Sequence, residues 1–173
     1  MEIKLKLSLI NCGFITPYLA KQHLKISDKV LNSLVKKNEL EKNINVIFGK
    51  LNYIYTLSDI SLKRFRNEGF YIYKHDSNQL EHDYILQCIF LSISDKEKLT
   101  WQNETSLKHK FGKNISTSDA IYIKDNKIIG VEVLTPNYTK DVINSKMQFI
   151  TKICDESFIL HTKDFNGGKI GNV

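Results

Sequence analysis

Residues Ser118–Leu134 read SDAIYIKDNKIIGVEVL, which is a strand-like run Ser118–Ile123, the turn Lys124-Asp125-Asn126-Lys127 and a second strand Ile128–Leu134. Asp119 begins the first strand, and Glu132 lies inside its hairpin partner. A carboxylate within a strand as apolar as IIGVEVL is costly to bury unless something pairs with it. A second carboxylate across the hairpin cannot do that without a cation. Hard divalent ions such as Mg²⁺ are held by one or two carboxylates plus water and phosphate, which is the arrangement phosphodiester hydrolysis needs. Asp119 and Glu132 are therefore candidate metal ligands and candidate catalytic residues.

After the hairpin, Thr139 is placed to cap a helix in which Val142, Ile143, Met147, Ile150 and Cys154 recur at helical spacing. Ser157–Leu160 then reads as a buried strand adjoining Ile128–Leu134, with His161 at its end. Before the hairpin, Leu99–Glu104 (LTWQNE) reads as a strand ending in a carboxylate, so Glu104 joins the candidate catalytic set. A basic loop with Lys108, His109, Lys110 and Lys113 follows it. Upstream, Ser77 is placed to cap a helix over residues 78–91, with a stripe of Leu80, Tyr84, Ile85, Cys88 and Leu91. Glu81, His82 and Asp83 fall in its first turn, where negative charge suits the helix dipole.

The first part of the chain has a different order. Ile3, Leu5, Leu7, Leu9 and Ile10 form an apolar element that stops at Asn11-Cys12-Gly13. Thr16 and Pro17 are a cap and first-turn residue for a short helix, Pro17–His23. Ser27 caps a third helix in which Val30, Leu31, Leu34 and Val35 form one side, while Lys29, Asn32, Ser33, Lys36 and Lys37 form the other. Ile44–Phe48 and Asn52–Leu57 then read as two strands around Gly49-Lys50, and Ser58–Glu68 as a linker helix exposing Lys63, Arg64 and Arg66.

Three helices and a hairpin predict a winged helix-turn-helix, in which the third helix enters the major groove and the hairpin tip touches phosphate or the minor groove. The stretch from Gly13 to Ser58 resembles the winged-helix domains of bacterial DNA-binding proteins. The DNA-binding candidates are Ser27, Lys29, Asn32, Ser33, Lys36, Lys37, Lys50, Lys63 and Arg64. Asn32 could read adenine and Ser33 a neighbouring base edge, and the lysines hold phosphates. The third helix has no Arg, so modest sequence specificity follows. A solvated lysine face and a trihelical protein-interaction module are the plainer alternatives.

Composition agrees with an anionic partner. The chain has 173 residues, 42% apolar and 25% charged, enough to bury a core, and carries a net charge of +6 with a pI near 9.1. No apolar run reaches the roughly 18 to 20 residues of a membrane span, and Met1–Leu9 is not a secretory core, so a cytoplasmic protein without a membrane partner is expected. Cys12, Cys88 and Cys154 are odd in number and far apart, which excludes a disulfide framework and a metal clip. The five histidines lack the spacing of a zinc enzyme. Asn166–Lys169 reads as a frayed tail.

The order helix, strand, Asp-bearing hairpin, Glu-bearing strand, helix, strand resembles the core of the PD-(D/E)XK nuclease-like superfamily. With a winged helix in front, the chain resembles the replication-relaxation family of bacterial mobile elements. The residues carrying the resemblance are Leu80-Glu81-His82-Asp83, Trp101-Gln102-Asn103-Glu104, Ser118-Asp119-Ala120 in place of Pro-Asp-Ala, and Gly130-Val131-Glu132-Val133. It implies an α+β or α/β fold: a winged helix-turn-helix over residues 1–69 and a small mixed-sheet nuclease-like domain over 70–173. It also implies a double-stranded DNA partner, with a homodimer allowed, and a role in plasmid replication, mobilisation or regulation. No cofactor is expected unless cleavage is retained, in which case it is Mg²⁺. The lysine two positions after the nuclease motif's Glu is Leu134 here, and an aliphatic side chain neither orients water nor stabilises a transition state. Lys140 or Lys124 would have to take its place. The expectation is a DNA-binding protein with a degenerate nuclease-like domain. The alternatives are a Mg²⁺-dependent endonuclease using Asp119 and Glu132, helped by Glu104 or Glu81, and an adaptor in a replication or transfer complex.

Overall fold

The computed structural model describes residues 1–165, so the expected tail at Asn166–Lys169 lies outside the described residues. The chain is of mixed α+β class and divides into two compact units, Met1–Ser92 and Ile93–Val173.

In the first unit, helix α1 (Ile3–Cys12) buries Leu5, Leu9 and Cys12 and stops at Gly13. Gly13 has φ +81°, and a Cβ there would stand 2.9 Å from the His75 backbone nitrogen, so both conformation and space require glycine. Strand β1 (Phe14–Ile15) follows. Thr16 then caps α2 (Pro17–Leu19), its hydroxyl accepting from the Leu19 N–H at 3.3 Å with Pro17 at the first position. The helix runs on as a wider π turn, Ala20–Leu24, which Lys25 ends in the left-handed conformation. Helix α3 (Asp28–Lys36) buries Leu31 and Leu34.

Strands β2 (Leu40–Ile47) and β3 (Lys50–Leu57) form an antiparallel hairpin. Its two turn residues, Phe48 and Gly49, both have positive φ, as a tight two-residue loop requires. The pairing begins at Leu40↔Leu57, earlier than the expected Ile44, and β1 pairs with the far side of β3. Helix α4 (Asp59–Asn67) starts at Ser58, whose hydroxyl accepts from the Ser61 N–H and donates to the Asn38 carbonyl. Helix α5 (Leu80–Ser92) buries every side chain from Ile85 to Leu91. Its Gln87 amide donates to the Phe14 carbonyl, and its Leu80 joins Phe14, Ile47 and Ile54 in a core cluster. The expected boundary near Gly69 put this helix with the later strands. It is instead part of the first compact unit, because a helix apolar on all sides must be surrounded, and β1 and the hairpin supply the walls.

The second unit opens with α6 (Asp95–Thr100), nucleated by a capping box between Ser94 and Glu97. Only two residues then pair as strand, β4 (Gln102–Asn103), before α7 (Glu104–Phe111) begins under an Asn103 cap. Of the strand expected over Leu99–Glu104 only Gln102 and Asn103 pair, while Leu99, Thr100 and Glu104 are helical, and Lys108, His109 and Lys110 lie on a helix instead of a loop. The reason is two consecutive caps, each satisfying N–H groups of the helix that follows.

Strands β5 (Ala120–Lys124) and β6 (Lys127–Leu134) form the expected hairpin, with Asp125 and Asn126 at positive φ in its two-residue turn. Helix α8 (Lys140–Ile153) connects β6 to β7 (Glu156–His161), which runs parallel to β6, and a 3₁₀ turn at Thr162–Asp164 follows. The sheet order is β4-β5-β6-β7. Leu107, Ile121 and Phe149 form a core cluster on one face, and Trp101 stacks on Tyr122, whose side chain alternates to the other. A Cβ on Gly130 would meet Cys154 Sγ at 2.9 Å, so β6 and α8 touch closely there.

Candidate functional site

The local structure of the second unit brings three charged side chains together. Asp119 immediately precedes β5, and Glu132 is the sixth residue of β6. Helix α8 begins after Thr139, whose hydroxyl accepts from the Val142 N–H, and that start sets the phase that turns Lys146 inward beside Phe149 and Ile150. All three are buried: Asp119 is 3% exposed, Glu132 0% and Lys146 6%. Lys146 Nζ lies 2.8 Å from Asp119 Oδ1 and 2.7 Å from Glu132 Oε1. The other oxygen of each carboxylate accepts from backbone. Asp119 Oδ2 receives the Val133 N–H at 2.7 Å, and Glu132 Oε2 receives the Asp119 N–H at 3.2 Å.

Burial works against the Lys146 ammonium, but Asp119 and then Glu132 outweigh it and hold its pKa above the ordinary lysine range. The group is therefore a fixed cation and no base at neutral pH. Tyr138 lies beside it, with Nζ 5.3 Å from the ring centre. Burial, then Asp119, pushes its phenol up, so it stays neutral.

The lysine at the carboxylates is thus Lys146. Lys140 is exposed at the first position of α8, and Lys124 ends β5 half-buried. Glu104, at the start of α7, pairs with Lys108 at 2.8 Å and is near enough to Tyr138 to act on its phenol. Glu81 belongs to the first unit, where it accepts the Phe48 N–H at 3.0 Å. Sequence reasoning missed Lys146, although the row Ile143, Lys146, Ile150, Ile153 places a charge in an otherwise apolar helical stripe.

A divalent ion does not fit this arrangement. The point at which one oxygen of each carboxylate converges is taken by the ammonium, and the two remaining oxygens are bound to backbone N–H groups. Among the described residues there is no group of three or more His, Cys, Asp or Glu side chains that could hold a metal ion.

The first unit presents a different surface. Lys29, Ser33 and Lys36 are exposed along α3 and Lys37 at its C-cap, opposite the buried Leu31 and Leu34, and Lys50 is exposed beside the hairpin turn. Ser27 precedes α3 without a side-chain cap, its carbonyl accepting from Val30 and Leu31. Asn32 is half-buried and its side-chain carbonyl is committed, accepting from Tyr55 OH at 3.0 Å and Lys42 Nζ at 3.4 Å. Lys63 and Arg64 are exposed on α4. Arg64 lies 3.8 Å from Glu39 and over the Phe65 ring.

A polar cluster is also buried in that unit. Asp83 accepts from Tyr73 OH at 2.7 Å and from the Asp76 N–H at 3.0 Å, and lies 2.8 Å from His82 Nδ1. These bonds tie the segment before α5 to its first turn. Burial lowers the pKa of the neighbouring His75.

No family model, curated protein or solved structure matches the chain. Among the described residues no helix is long and apolar enough to cross a membrane.

Proposed function

We propose that the chain is a duplex-DNA-binding protein whose first unit acts as a winged helix-turn-helix and whose second unit is a nuclease-like scaffold that does not cleave. The observation carrying this reading is the exposed stripe Lys29, Ser33 and Lys36 on α3, at i, i+4 and i+7, continued by Lys37 at its C-cap and followed by a hairpin with Lys50 beside its turn. In such an arrangement α3 lies in the major groove and Lys50 meets phosphate. Because the Asn32 carbonyl is held by Tyr55 and Lys42, bidentate reading of adenine is closed to it. Ser33 is left as the base-edge contact, so phosphate contacts dominate and sequence discrimination is weak. A role in a plasmid or other mobile element rests on the resemblance of the short motifs to the replication-relaxation family. A fluorescence-anisotropy titration of the protein with a random-sequence duplex tests the reading. Binding weakened by Lys36→Glu supports it, and no binding at low salt sinks it.

One second reading, a metal-dependent endonuclease, keeps Asp119 and Glu132 as the ligands and requires a divalent ion to displace Lys146 from them. Incubation with supercoiled plasmid and Mg²⁺, beside an Asp119→Ala control, separates the two. Nicking by the native protein alone would establish the nuclease, and identical plasmid in both lanes would remove it.

A further inference from the structure

Two buried carboxylates that point one oxygen each at a common position make a cation site, and the cation standing there belongs to the chain itself. Lys146 Nζ is within 2.8 Å of both oxygens, and the remaining oxygen of each carboxylate is oriented by a backbone N–H from the other's strand region. The tether holds the ammonium at high effective concentration, because α8 is anchored by Phe149 and Ile150. A divalent ion entering beside it would face a like charge in a poorly screened setting, and Mg²⁺ also gives up its waters reluctantly.

We propose that Lys146 is a built-in monovalent cation that closes the Asp119–Glu132 pair to divalent metals, and that removing its ammonium uncovers a latent divalent-metal site on those two carboxylates. The site needs no ligand beyond the two carboxylates and water, a donor set that such ions accept. Truncating Lys146 to alanine removes the ammonium from between the two carboxylates and opens the space of its side chain. This inference does not depend on DNA binding. It also differs from the endonuclease reading, since it assigns the native site a cation that is not exchanged.

The test is a Mn²⁺ titration, followed by the electron paramagnetic resonance of free Mn²⁺, on the native protein, Lys146→Ala and the double variant Lys146→Ala/Asp119→Asn. The native protein is expected to show no saturable site that depends on Asp119. Lys146→Ala should bind one Mn²⁺ at least about tenfold more tightly than any residual native binding, and the double variant should lose it. Should Lys146→Ala be unfolded without metal, recovery of its native circular dichroism on adding Mn²⁺, absent in the double variant, is the same positive result. Asp119-dependent Mn²⁺ binding by the native protein overturns the proposal. So does a Lys146→Ala protein that neither binds Mn²⁺ nor refolds with it.

Discussion

Lys146 in the second unit and Lys36 in the first carry the same side chain into opposite settings. Lys146 is buried, touches two carboxylates and is fixed by the packing of α8 on its sheet. Lys36 is exposed at the end of α3, on a face whose other members are Lys29, Ser33 and Lys37. The contrast separates two uses of positive charge. One satisfies internal carboxylates and is paid for in desolvation, while the other remains hydrated and available to an anionic partner.

The largest effect expected from this contrast is on stability. Lys146→Met leaves two buried carboxylates without their cation and should lower the unfolding free energy by about 3–5 kcal/mol. Lys36→Met, at an exposed position, should change it by no more than about 0.5 kcal/mol. Urea denaturation of the three proteins measures both, and equal losses would erase the distinction.

The same pair should differ in alkali. The folded pKa of Lys146 is raised, so its stabilising contribution is complete below the unfolded lysine value of about 10.4 and is lost as pH climbs from there through the folded value. The stability gap between native protein and Lys146→Met should therefore hold steady from neutral pH and narrow above about pH 10.4. The corresponding gap for Lys36→Met should stay small throughout. A gap for Lys146→Met that closes near pH 8 would mean the ammonium is not held by the carboxylates.

A smaller effect probes the seat of α8. Gly130→Ala would press a methyl group against Cys154 Sγ at 2.9 Å and against Ile150 at 3.3 Å, at a cost of about 1–3 kcal/mol by overpacking. Calorimetric unfolding reads this directly, and an unchanged midpoint would show that the helix lies farther from β6 than the geometry gives.

Parts of this architecture were legible because local chemistry dictates them. The hairpin Ser118–Leu134 follows from two short apolar runs rich in β-branched residues around a two-residue turn, and both Asp125 and Asn126 are residue types that tolerate positive φ. The Thr16-Pro17 and Thr139 caps are equally local. The helices over Asp95–Thr100 and Glu104–Phe111 were harder to see, since the apolar pattern between them suits a strand and the deciding signals are the capping residues Ser94, Glu97 and Asn103. The grouping of α5 with the first unit is set by what surrounds its apolar faces, and an all-round apolar helix carries no direction in its sequence. The helical position of Asn32 suits a base reader, but its carbonyl accepts from Tyr55 OH, 23 residues away, a contact that local sequence does not encode. At the carboxylates, the motif predicts a lysine close by in sequence, whereas helical periodicity delivers Lys146 from the next element.

In the proposed function, the α3 and hairpin lysines bind duplex DNA through its phosphates. The most direct measurement is the affinity for a random-sequence duplex across a range of salt concentrations, for the native protein and for Lys36→Glu. A linear fall of log affinity with log salt is predicted, with the slope of Lys36→Glu shallower by about 0.9 if one phosphate contact is lost. Salt-independent affinity, or a slope that Lys36→Glu leaves unchanged, would contradict it.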